Sequence, residues 1–166
     1  MFQLEHKDSM GNGSVIHRAE VQRMSAGTGV THSEFNPSKT EKTHLLQIWF
    51  LPEAEGLPPG YEQKAFDMEQ AKDSLLLVAS RKGLQGSVHL NQSVKMYLTR
   101  PQNQPVSYTP EMGRGVWVHL ATGQGKANNQ PMKAGDAVAV TQEESVELTG
   151  DADSLFVLFD VEISGR

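Results

Sequence analysis

The segment from Thr31 to Phe35 reads THSEF and holds the pair with the clearest chemical potential, His32 and Glu34. In an extended segment side chains alternate between faces, so residues two apart share one. An imidazole and a carboxylate side by side on a strand supply two ligands for a divalent metal. Two ligands are not a site, and an H-x-E pair taken alone is more often a surface or cross-strand polar pair. A metal at His32 and Glu34 needs at least one more strong ligand. His6, just before a turn near the start, could face the same cavity as His32 but has no spacing partner of its own. His44 opens an apolar run and reads as a hydrogen-bonded structural histidine. His89 and His119 each stand alone, with no His or carboxylate two residues away, so the second half reads as metal-free.

Composition narrows the field around that pair. The chain has 166 residues, enough for one good-sized domain or two small ones. A net charge of −5 lacks the basic footprint of a general nucleic-acid binder, so no direct nucleic-acid partner is expected. With no cysteine, disulfides, thiolate metal sites and cysteine nucleophiles are excluded. No apolar run approaches the ~20 residues of a membrane span, and the opening MFQLEHKDSMGNGS has no secretory pattern, so a cytoplasmic protein is expected. The glycines at 27 and 29 are not a dinucleotide fingerprint, because position 32 is His and no βαβ unit surrounds it; Gly125-Lys126 is not a P-loop.

The elements that must position the pair are short strands. Fifteen glycines and eight prolines spread along the chain imply many turns. Gln3 to His6 ends a strand, Asp8 to Gly13 is a tight turn, and Val15 to Met24 reads as one return strand. Gly27 and Gly29 turn the chain into the His32/Glu34 strand. HLLQIWFL, from His44 to Leu51, reads as a strand buried on both faces. Pro52 to Gly60 is a linker by composition, which divides the chain into modules at 1–60 and 61–166. Tyr61 to Phe66 continues as an extended arm, and Asp67 caps a helical turn reaching Lys72. The rest reads as strands at regular spacing: Leu75–Ser80, Ser87–Leu90, Val94–Thr99, Pro105–Tyr108, Gly115–Ala121, a short one near Lys126, Ala137–Thr141, Ser145–Leu148 and Ser154–Val161. A turn covers Asn128 to Pro131. Such a series means a sandwich or barrel. Trp49, Trp117, Phe156 and Phe159 are expected in the core.

Taken together, RMSAGTGVTHSEFNPS, the HLLQIW that follows it, P-x-x-x-G-L-x-P, YEQKAF and the earlier EHKDSMGN resemble the pirin family of the cupin superfamily. The similarity is continuous from about Leu4 to Phe66 and weaker beyond. It implies an all-β fold of two cupin (double-stranded β-helix, jelly-roll) modules, with a metal, usually iron, in the N-terminal one only. Several bacterial members are similar to quercetin 2,3-dioxygenases, which implies a flavonol-like substrate; the eukaryotic relative is a nuclear transcriptional cofactor, which implies the alternative of a non-enzymatic binding or regulatory protein. The family's metal is held by three histidines and a glutamate. His32 and Glu34 match two of these, with Glu34 also placed to act as catalytic base. The other two belong to an H-x-H motif upstream of EHKDSMGN, and no H-x-H occurs in these 166 residues. The resemblance thus implies an incomplete N-terminal module and an impaired site that holds iron weakly or not at all. An open barrel edge with unpaired backbone predicts a homodimer in which residues 1–50 cover it.

Overall fold

The computed structural model describes residues 3–163; the first two residues of the expected 1–60 module and the last three of the 61–166 module lie outside them. The fold is all-β. In chain order the strands are β1 (Gln3–Asp8), β2 (Gly13–His17), β3 (Glu20–Ser25), β4 (His32–Phe35), β5 (Gly60–Ala65), β6 (Leu76–Ser80), β7 (Val88–His89), β8 (Val94–Thr99), β9 (Val106–Tyr108), β10 (Arg114–Thr122), β11 (Gln124–Ala127), β12 (Gln130–Lys133), β13 (Ala137–Val140), β14 (Val146–Gly150) and β15 (Leu155–Glu162).

The C-terminal strands form a sandwich. A six-stranded sheet, ordered β13-β10-β15-β8-β6-β7, faces a four-stranded one, ordered β12-β11-β14-β9. β15 shows why the sheet holds. Its alternation sends Phe156 and Leu158 into the sandwich, against Val118, Leu120, Val146 and Leu148. Val157 and Phe159 point to the opposite face, where they join Val78, Val88, Met96 and Leu98. A strand apolar on both faces is thereby covered on both. Gly125 and its cross-strand partner Gly150 let the four-stranded sheet close over Phe156, because a Cβ on Gly125 would sit 2.7 Å from the Phe156 ring. Asp160, fully buried, is held by the Tyr108 hydroxyl and the Arg114 guanidinium, and Arg114 also donates to the Ser93 carbonyl at 2.9 Å. The expected cap is present: the Asp67 side chain accepts from the Glu69 amide at the head of a 3-10 turn over Met68–Ala71.

The N-terminal strands form a three-stranded sheet, ordered β2-β1-β4, and a two-stranded ribbon of β3 with β5. Val15 to Met24 is not one strand. It breaks at Ala19, which takes a φ of 65°, so β2 returns along β1 while β3 leaves to pair with β5. The arm from Tyr61 is that β5, and one side of the ribbon rests on the C-terminal sandwich: Arg23 donates to the His89 carbonyl, Lys64 to the Ser87 carbonyl, and Glu62 accepts from the His89 amide. Gly27, at φ 53°, lies under the linker, where a Cβ would meet Pro58 and Pro59 backbone at 2.7 and 2.6 Å.

Three further expectations fail. His44 to Leu51 forms no strand and is not buried; Trp49 is 84% and Leu51 86% exposed. No described strand runs beside this segment to take its backbone bonds. Only Phe50 reaches a core, 6.0 Å from the Phe159 ring. Trp117, on the outer face of β10, is about half exposed, whereas Phe156 and Phe159 are core as expected. The expected turn at Asn128 to Pro131 ends sooner, because β12 begins at Gln130; Pro131 is tolerated there since β12 is an edge strand.

Phe156→Ala is expected to cost about 3–5 kcal/mol of unfolding free energy, since the site lies between two sheets and cannot collapse. Urea denaturation with unchanged slope and a lowered midpoint would show it.

Candidate metal centre on the N-terminal sheet

β1 is the middle strand of its sheet, and its even-numbered residues face inward. Leu4 and His6 are buried, and the cross-strand partners are Leu4 with Ile16, His6 with both Ser14 and Glu34, and Asp8 with His32. Directly paired residues share a face. The register therefore gathers His6, Asp8, His32 and Glu34 on one side of the sheet, and His32 and Glu34 do lie on the face they share.

His6 is the centre of this group. It is 1% exposed. Its Nδ1 lies 3.5 Å from Glu34 Oε1 and its Nε2 3.5 Å from Asp8 Oδ2. The His32 ring stacks on it at a centroid distance of 5.8 Å and 26° between planes, and the Tyr61 ring lies 5.2 Å away at 32°. Tyr61 comes from β5 on the ribbon. Its hydroxyl is 2.5 Å from both Ser14 Oγ and Gln63 Oε1, and it accepts from Gln22 Nε2 at 3.1 Å. His32 is exposed and the Glu34 side chain is 21% exposed, so both reach the open side of the face while His6 sits beneath them.

Asp8 anchors the turn that ends β1. Its Oδ1 accepts from the Met10 and Asn12 amides, each at 2.9 Å, and its Oδ2 from the Asn12 side chain at 2.7 Å. Desolvation pushes the Asp8 carboxyl up, but its hydrogen bonds, those from Asn12 first, more than offset this and hold it below its usual 3.8.

The donor set suits a first-row divalent metal in kind: imidazole and carboxylate, with an unpartnered imidazole nitrogen, His6 Nδ1, buried behind them. In number it falls short. Among the described residues no three His, Cys, Asp or Glu side chains are placed to hold one ion together. His44 is exposed in the segment after β4, and His89 and His119 lie on β7 and β10 of the sandwich. Sequence reasoning found His32 and Glu34 from their spacing and placed His6 near them. It missed Asp8, whose two-residue spacing from His6 on a strand was an available signal, and Tyr61, which arrives through the β3–β5 pairing and carries no local signal.

A two-module β fold of this kind, with an H-x-E strand facing a histidine-bearing one, is that of a cupin. Residues 3–50 match the family model for pirin, and residues 77–161 that for the quercetinase C-terminal cupin domain. The chain belongs to the pirin family of cupins. It is 38% identical over 161 residues to a quercetin 2,3-dioxygenase of Escherichia coli K12, an alignment that covers 95% of this chain and 68% of the relative. A putative quercetin 2,3-dioxygenase of Pasteurella multocida is 36% identical, again over 68% of its length. The crystal structure of YhhW from Escherichia coli superposes with a TM-score of 0.90 at 36% identity, covering 99% of this chain and 70% of that one. Bacterial pirin YhhW in complex with nickel(II), also from Escherichia coli, superposes at 0.87 with 35% identity, covering 97% and 69%.

Asp8→Ala is expected to lower Tm at pH 7. Because the folded carboxyl sits below its unfolded value, its contribution is present above about pH 4 and is lost as pH falls through the lowered value. The Tm difference from wild type should therefore narrow below pH 4 in a thermal series; a constant gap would mean that the turn depends on shape alone.

Proposed function

We propose that this chain is a pirin-family protein of the quercetin 2,3-dioxygenase type, with His32 and Glu34 as ligands of a divalent metal, iron by family resemblance, and Glu34 as the base. The observation that carries this is the shared face of His32 and Glu34 over buried His6, in a chain similar to quercetin 2,3-dioxygenases over most of its length. When bound, the metal supplies a meeting point for a flavonol and dioxygen. The chain's own residues do the rest. The partly exposed Glu34 carboxylate takes the proton of the flavonol hydroxyl on an Oε atom. The exposed His32 imidazole stands two residues away on the same strand as a nitrogen ligand. The Tyr61 hydroxyl, tied on three sides, closes the floor of the face.

Since the described residues bring two such ligands together, weak metal binding and little turnover of quercetin are expected. Loss of flavonol absorbance under O₂ with Fe²⁺, Mn²⁺, Ni²⁺ or Cu²⁺ measures this. Residual turnover should vanish in His32→Ala and in Glu34→Ala; turnover unchanged in both would place the chemistry elsewhere and end this reading.

A second reading concerns a partner, and the exposed segment after β4 favours it. Leu45, Leu46, Ile48, Trp49 and Leu51 are all exposed, in seven residues without charge or proline. Exposed apolar stretches with unpaired backbone are contact surfaces. We propose that residues 1–50, extended to Leu51, form the interface of a homodimer; residues 1 and 2 of it lie outside the described ones. Light scattering at micromolar concentration should give twice the 18.3 kDa chain mass, falling to one in Trp49→Glu. A monomer with this segment protected from hydrogen exchange would mean that the chain covers it alone.

A further inference from the structure

His6 Nδ1 is a buried polar atom without a hydrogen-bond partner. Such atoms are rare and each calls for a partner. The carboxylate within ion-pair distance of this nitrogen is Glu34, with Oε1 3.5 Å away. The ring has little freedom to look elsewhere. Its Nε2 side faces Asp8, itself fixed by three bonds to its own turn. The His32 and Tyr61 rings lie against it, and the Tyr61 hydroxyl is tied to both β2 and the ribbon. A line thus runs from the turn at Asp8 through the imidazole to Glu34.

We propose that His6 is a positioning residue: its Nδ1–H is donated to one carboxylate oxygen of Glu34, which fixes the carboxylate's rotation and leaves the other oxygen turned to the open face. A glutamate side chain on an exposed strand otherwise has three torsions to choose from. Outer hydrogen bonds of this kind orient a ligating carboxylate. The inference rests on the role given above to Glu34 and adds the residue that aims it.

Two isosteric variants separate orientation from packing. Asn at position 6 puts an amide nitrogen where Nδ1 stands, and Gln puts one near Nε2. With Ni²⁺ as the probe in calorimetric titration, His6→Asn should keep wild-type affinity within about threefold, while His6→Gln should lose about 10- to 100-fold. Equal losses in both, no loss in either, or a loss in His6→Asn alone would overturn the proposal. A second readout needs no metal. In nitrogen-15 spectra of the wild-type chain, His6 should carry a slowly exchanging proton on Nδ1, and Glu34→Ala should abolish its protection. An Nδ1 without a proton, or one indifferent to Glu34, would overturn the proposal as well. If wild type takes up no Ni²⁺ at all, the metal reading of the site fails, and the nitrogen-15 result decides the role of His6 separately.

Discussion

The register between β1 and β4 is the constraint on which the site depends. Side chains on a strand alternate, so a slip of one residue would send His32 and Glu34 to the far side of the sheet from His6 and Asp8. What fixes the register is mostly apolar and local. Leu4 is buried opposite Ile16, which fixes β1 against β2. The turn closed by Asp8 then sets where β1 stops, and the Ser9 amide bonds the Thr31 carbonyl at 2.9 Å just before β4 begins. Of the four residues on the shared face, Asp8 makes one of these contacts, and His6, His32 and Glu34 are placed by them.

The rest of the molecule acts as a footing for that small sheet. The C-terminal sandwich has two cores, one between its sheets and one on the outer face of the larger sheet. The second core takes in Val21 of β3 and Phe50 beside it, so the ribbon is seated on a rigid surface. The ribbon's polar contacts to Ser87 and His89 add direction, since carbonyl and carboxylate partners at 2.9–3.0 Å accept only certain approaches. Tyr61 inherits that rigidity. A residue beyond the linker thereby becomes part of a site carried by the strands before it.

Much of this was legible in the sequence because it rests on short-range rules. The strands from Leu76 onward follow alternation and turn residues closely, and Asp67 caps its turn as its type and place suggest. His32 and Glu34 were legible because two-residue spacing on a strand has one geometric meaning. The failures share a different cause. HLLQIWFL has every local mark of a buried strand, but a strand also needs a neighbour, and local composition does not name one. Trp49 and Trp117 have the type and the apolar neighbours of core residues, but neither signal says which face of the chain another element covers. Val15 to Met24 was read as one strand because its break at Ala19 is made by a residue without the usual turn signature. Tyr61 was invisible as a site residue since its place depends on a pairing between segments some forty residues apart.

The seating of the linker over Gly27 divides that linker into two kinds of sequence. Leu57 to Pro59 lie on a glycine that admits no side chain, five residues before His32. Ala54 to Gly56 are exposed and have no such contact. Over evolutionary time the two parts are under different rules. Insertions at 54–56 add loop length at small entropic cost and leave both modules where they are. A change at 57–59, or a Cβ at 27, moves the entry to the H-x-E strand and the start of the ribbon together, so drift in the outer loop is free while drift at its base is drift in the site.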